Sequence, residues 1–396
     1  MSICHSEVLD LVIHRVSQGE TLYGIAGVYG VPASSIAEVN GLSETEELVT
    51  GMELVIPVGD TINNQLLRVL QNRPSIETLG YLLPGAAAAN LVRQIGPDLT
   101  YLGLFDFPVT ETGEIQGTLD EDILTAANEV NTALLPVLTN NRAEEGFSPE
   151  LGHSIIEAAN RQNFIGNVLE MLDQYDLRGI IIDFENLNPE DRNLFTEFIG
   201  QLAQELHDDG KILILNLAPK WEDVPDASWS GFFDYSALGP LVDRAAIMTY
   251  EWGYISGPPQ PTAPIENVRR VLAFALANNI PADKILMGMT LYGYNWELPD
   301  TPDNLATTVT QPQVWDLARR YGAFIQFDET AGQPSLNYIN DQGTEHEIWF
   351  EDARSHYLKY QLAMETGLRG VFYWIINQPF PGTYYMVTHL FTVEKL

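Results

Sequence analysis

Three consecutive isoleucines, Ile180, Ile181 and Ile182, followed by Asp183, Phe184 and Glu185, constrain this chain more than any other stretch. A β-branched run without polar interruption reads as a strand buried on both faces, and such strands belong to parallel sheets covered by helices. Side chains alternate along a strand. Ile181, Asp183 and Glu185 therefore share one face, and Ile182 and Phe184 share the other. Two carboxylates on a buried strand are costly unless they are paired or used. A carboxylic acid held beside a second carboxyl group is what glycoside-bond cleavage needs.

Comparable runs recur along the chain. Strands are expected at 77–83, 101–109, 134–140, 178–185, 211–219, 244–250, 285–294 and 370–376, with amphipathic helices such as 191–208 and 266–279 between them. Eight strands with helical crossovers predict an α/β fold, a (β/α)8 barrel over residues 76–396. The long gap between strands seven and eight implies an insertion at about 297–348. Within it, Phe324–Phe327, Asn337–Ile339 and His346–Trp349 read as short strands and Gln313–Ala318 as a helix, a small α+β cap. Residues 11–58 form a unit of their own: a strand from Leu11 to Val16, a helix closed by Gly30, a second helix to about Asn40, and a strand stopped by Pro57. Residues 59–75 read as a linker.

Composition narrows the partners. Lys and Arg total 20 against 54 Asp and Glu, a net charge of −34. Nucleic acid needs a basic stripe, so it is not an expected partner, and neither is an anionic membrane surface. The lone Cys4 allows no intramolecular disulfide. The N-terminus shows no signal peptide, and no apolar run reaches the roughly 20 residues that span a bilayer. The His residues show no metal-ligand spacing. No metal or cofactor is expected, and a monomer is.

The isoleucine stretch resembles the signature of family 18 glycoside hydrolases, Asp-Gly-x-Asp-x-Asp-x-Glu, with Asp183 and Glu185 at its last two acidic positions. Met248-Thr-Tyr-Glu251 resembles the family's Met-x-Tyr-Asp motif, with Glu for Asp. Gly288–Gly293 resembles its seventh strand, Gly370-Val-Phe-Tyr-Trp374 its eighth, and Trp349–Ser355 the start of the helix after the insertion. The 11–58 unit resembles a LysM module in Gly19-Glu-Thr-Leu, Val39-Asn-Gly41 and Leu54-Val-Ile-Pro57. Met248–Tyr254, Gly257-Pro-Pro259 and Pro379-Phe-Pro381 resemble the branch of bacterial spore cortex-lytic N-acetylglucosaminidases, which joins LysM modules to this barrel.

That resemblance implies roles. Glu185 would be the general acid, Asp183 would orient the substrate's acetamido group, and Tyr250 would donate its hydroxyl to the acetamido oxygen. Trp374 would floor the sugar site. Asn216 and Tyr292 are candidates for the polar wall. Glu251 either holds a sugar hydroxyl or is a solvated loop carboxylate. Trp252, Tyr254, Trp296 and Trp349 are loop aromatics for outer subsites. Arg178 and Ile181 depart from the signature, and with Ile181 apolar, Asp183 is expected to turn toward Glu185 and share a proton with it. The resemblance leaves three readings: retaining hydrolysis of β-linked N-acetylglucosamine bonds in peptidoglycan, with spore cortex fragments as the expected substrate; a chitinase with the same chemistry; or a lectin that binds glycan without cutting it. It also implies a spore-associated or extracytoplasmic setting.

Overall fold

The computed structural model describes residues 11–58, 73–143, 145–301 and 304–396. Cys4 and residues 59–72 of the expected linker lie outside them.

Strand β1 (Val12–Arg15) pairs antiparallel with β2 (Glu53–Ile56), and helices α1 (Leu22–Tyr29) and α2 (Ala33–Asn40) connect them. The Thr21 side chain accepts the Gly24 N–H and caps α1, while Gly30 closes it at φ 69°. Buried Asn40 ties α2 to β2: its amide nitrogen donates to the Val55 carbonyl, and its oxygen accepts the Val55 N–H, each at 2.8 Å.

Eight parallel strands then form the barrel: β3 (Ser75–Leu82), β4 (Tyr101–Pro108), β5 (Ala133–Thr139), β6 (Gly179–Asp183), β7 (Ile212–Leu217), β8 (Arg244–Ile247), β9 (Ile285–Thr290) and, after the insertion, a last strand (Gly370–Trp374) that pairs with β3 and closes the ring. The isoleucine run divides as its alternation dictates. Ile181 joins Leu79, Val137, Ile214 and Phe372 inside the barrel, whereas Ile180, Ile182 and Phe184 face the surrounding helices. At the amino-terminal end of the strands, buried Glu77 accepts from Arg244 at 2.5 Å and Arg369 at 2.6 Å, which joins β3 to two other strands.

Two boundaries shift. The seventh strand stops at Thr290, and Gly293–Leu298 (β10) opens a separate antiparallel sheet with Thr307–Val309, Gln326–Asp328, Gln333–Ile339 and Glu345–Trp349. The insertion thus begins near 293 rather than 297. The backbone at Gly293 passes so close to the next strand that a Cβ would sit 2.2 Å from the Trp349 carbonyl oxygen. The helix in this cap runs Gln311–Tyr321, longer than expected, behind a Thr310–Gln313 capping box.

The amino-terminal unit is packed onto the rest of the chain. Leu54 and Ile56 share a buried cluster with Trp315, Leu336 and Ile348 of the insertion, and Val55 belongs to the core between barrel and helices. Ile325 N–H donates to the Thr50 carbonyl at 3.2 Å. Arg319 bonds the Glu46 carboxylate at 2.8 Å, and buried Glu53 lies 3.0 Å from Arg15. Gly51, at φ 93°, lets the chains touch, since a Cβ there would meet the Ile325 oxygen at 2.1 Å.

Candidate active site

A cleft of about 670 Å³ opens at the carboxyl ends of the strands, where barrels carry their chemistry. Seven residues expected from the sequence line it together: Asp183, Glu185, Asn216, Tyr250, Glu251, Tyr254 and Trp374.

Strand pairing on β6 ends at Asp183, so Glu185 stands two residues beyond the ladder. Asn140 extends the hold. This fully buried side chain accepts the Glu185 N–H at 2.9 Å and donates to the Glu185 carbonyl at 2.8 Å, as a neighbouring strand would. The same amide nitrogen also reaches the Ser148 carbonyl at 2.9 Å.

The carboxyls sit in an environment that disfavours charge. Burial pushes Glu185 well above the usual carboxylate range, the neighbouring charges of Asp183 and Glu251 push it further, and a hydrogen bond from Trp229 opposes them. Asp183 is pushed up to about 6, first by burial, with Asn216 pulling the other way and Asp106 adding to the rise. A protonated Glu185 above its ordinary range is the state a general acid requires. Among the described residues no hydrogen bond joins Asp183 to Glu185; the side-chain partner of Asp183 is Asn216 on β7. The Asn216 oxygen is held in turn by the Tyr81 hydroxyl.

Trp374 meets Phe105 edge to face at 5.0 Å and Tyr81 at 5.5 Å, which fixes its ring at the base of the cleft. Glu251 has φ 63°, and its Oε1 accepts both the Tyr292 and Tyr294 hydroxyls at 2.7 Å. It is an exposed carboxylate braced by two tyrosines.

Four aromatics fall elsewhere than expected. Tyr292 does not line the cleft; it is 6% exposed and spends its hydroxyl on Glu251. Trp252 turns away and stacks on Trp221 at 6.3 Å, because its loop is pinned by the Trp252 N–H to the Thr262 carbonyl. Trp296 is 1% exposed and donates to the Gly257 carbonyl at 2.7 Å, supporting the loop that carries Tyr254, itself on the wall. Trp349 packs half-buried beside Trp296. The lining also includes Tyr81, Phe105, Phe147, Trp229 and Met248, which the sequence reading did not select. Tyr81 had a signal, a tyrosine at the carboxyl end of an apolar strand. Phe147, in a two-residue strand paired with Asn141, and Trp229, on a loop, had none.

A closed parallel barrel with a protonatable Glu beside a second buried carboxyl at the end of its fourth strand, above an aromatic floor, defines a glycoside hydrolase. The chain belongs to the glycosyl hydrolases family 18, matched over residues 124–378, and carries a LysM domain at residues 14–57. It is 34% identical to a cortical fragment-lytic enzyme of Bacillus subtilis, over 97% of this chain and 99% of that one. A cortical fragment-lytic enzyme of Bacillus anthracis is 36% identical over the same shares. The crystal structure of the Bacillus cereus spore cortex-lytic enzyme SleL superposes with a TM-score of 0.89 at 32% identity, covering 97% of this chain and 99% of that one. The protein is thus a family 18 glycosidase related to spore cortex-lytic enzymes, with two glycan-binding parts.

Proposed function

We propose that this enzyme hydrolyses β-linked N-acetylglucosamine bonds in peptidoglycan, with spore cortex fragments as substrate, and does so with retention through the substrate's own acetamido group. The observation that carries this is the pairing of a protonated Glu185 with a second carboxyl, Asp183, that is tied sideways to Asn216. Glu185 gives its proton to the glycosidic oxygen as the C1–O bond breaks. The acetamido oxygen closes on C1 to form an oxazolinium ion, with Asp183 accepting its N–H and Tyr250 donating to its oxygen. Water, deprotonated by Glu185, then opens the ring from the same face and restores the acid. Trp374 offers its ring to the apolar face of the sugar, and the second oxygen of Glu251 is left for a sugar hydroxyl. The names of the relatives favour cortex over chitin as the polymer.

Mass spectrometry of products from cortex peptidoglycan and from chitin oligomers tests this. Cortex fragments ending in reducing N-acetylglucosamine are expected. Cleavage of chitin oligomers alone would assign a chitinase, and no product from either would assign a lectin.

A further inference from the structure

The Asp183 carboxyl is the least satisfied polar group of the cleft. It is 4% exposed, and its Oδ1 meets no hydrogen-bond partner. The preceding residue on its face, Ile181, is apolar and fully buried. Apart from Glu185 beyond it, polar influence must come from neighbouring strands. β7 supplies Asn216 on one side. On the other side lies β5 and, beyond it, β4.

β4 and β5 fall out of step. Leu104 pairs with Pro136 and Phe107 with Leu138, so Phe105 and Asp106 together oppose one residue. This is a β-bulge, a feature that re-aims side chains beside active sites. Phe105 packs with the barrel interior, yet Phe107, two residues on, belongs to the outer core, so the extra residue has reversed the alternation. Asp106 is thereby turned inward. Its Oδ2 accepts from Thr139 Oγ1 at 2.9 Å and from Asn141 Nδ2 at 3.1 Å. Thr139 is fully buried and is the register partner of Asp183. Asp106 is therefore one side chain removed from Asp183, and both of its donors are neutral.

We propose that Asp106 is a fourth carboxylate of this active site, a positioning residue behind the cleft wall that governs the charge on Asp183 and sets a further negative charge toward the oxazolinium cation. The proposal rests on the substrate-assisted reading above. The other groups facing Asp183 do not offset such a charge. Tyr81 faces it from β3, Glu185 from its own strand, Asn216 from β7, and Tyr250 and Glu251 from the end of β8. All are neutral or acidic, and among the described residues no Lys or Arg lines the cleft. The rise of Asp183 to about 6, partly through Asp106, is consistent with this arrangement.

The test replaces Asp106 by Asn, an isostere that still accepts from Thr139 and Asn141, and by Ala as a second variant. Carbon-13 carboxyl NMR of the free full-length protein follows the titration of Asp183 without any substrate. Its midpoint should fall by about half a pH unit or more in both variants, because a like charge has been removed. On a soluble N-acetylglucosamine substrate the acidic limb of kcat/KM should move down by the same amount, with KM within about twofold. An unmoved Asp183 midpoint in a folded variant overturns the proposal, and so does a moved midpoint with an unmoved rate profile. If the unaltered enzyme turns over no such substrate, the substrate-assisted reading fails, and with it the assigned role of Asp106, whatever the NMR arm records about the coupling.

Discussion

In the proposed mechanism Glu185 acts only while it holds a proton, so its surroundings decide the working range. Glu185→Gln should lower kcat by about 10²–10⁴-fold with KM nearly unchanged, since the amide cannot protonate the leaving oxygen. Steady-state kinetics on a soluble glycan measures this. Glu251 contributes from a distance: its charge raises Glu185, so removing that charge lets Glu185 ionise at lower pH. The alkaline limb of kcat/KM in Glu251→Gln should therefore move to lower pH, and an unmoved limb would deny the coupling. At this scale much was legible. Asp183, Glu185, Asn216, Tyr250 and Trp374 sit in or just past strand ends, and position alone points them at the cleft. Asp106 was not legible, because strict alternation places it outward and only the bulge reverses that. Trp229 was hidden as well. Its loop is held by contacts distant in sequence, such as Arg192 donating to the Gly231 carbonyl at 2.6 Å.

The strands themselves were readable because a parallel strand buried on both faces writes itself as an apolar run. Their ends were less so. The seventh run continues as strand-like sequence past Thr290, and only the close approach at Gly293 assigns the continuation to another sheet. The end of β6 depends on Asn140, which takes over from the ladder where pairing stops. Asn140→Ala would leave the Glu185 N–H and two carbonyls without this partner. A loss of about 2–3 kcal/mol is expected, from bonds worth about 1 kcal/mol each plus unsatisfied buried groups. Denaturant unfolding checks the stability. The same variant should lose kcat by more than KM rises, because the catalytic carboxyl loses its fixed backbone.

The LysM unit, the insertion and the barrel make one packed body rather than beads on a string. The sequence foretold the unit but not its seat, since Leu54, Val55 and Ile56 read only as a closing strand, with nothing to say that both faces are covered. Removing residues 11–58 should uncover Trp315, Leu336 and Ile348 of the insertion. The shortened chain is expected to unfold at lower temperature and to bind an apolar dye, whereas an unchanged melting midpoint would make the unit a mere passenger. The central claim concerns the whole enzyme with its substrate: bond cleavage assisted by the acetamido group, with Glu185 as acid and no nucleophile from the protein. Proton NMR of the first product formed, recorded before mutarotation, tests it most directly. The account predicts the β anomer; the α anomer appearing first would contradict it.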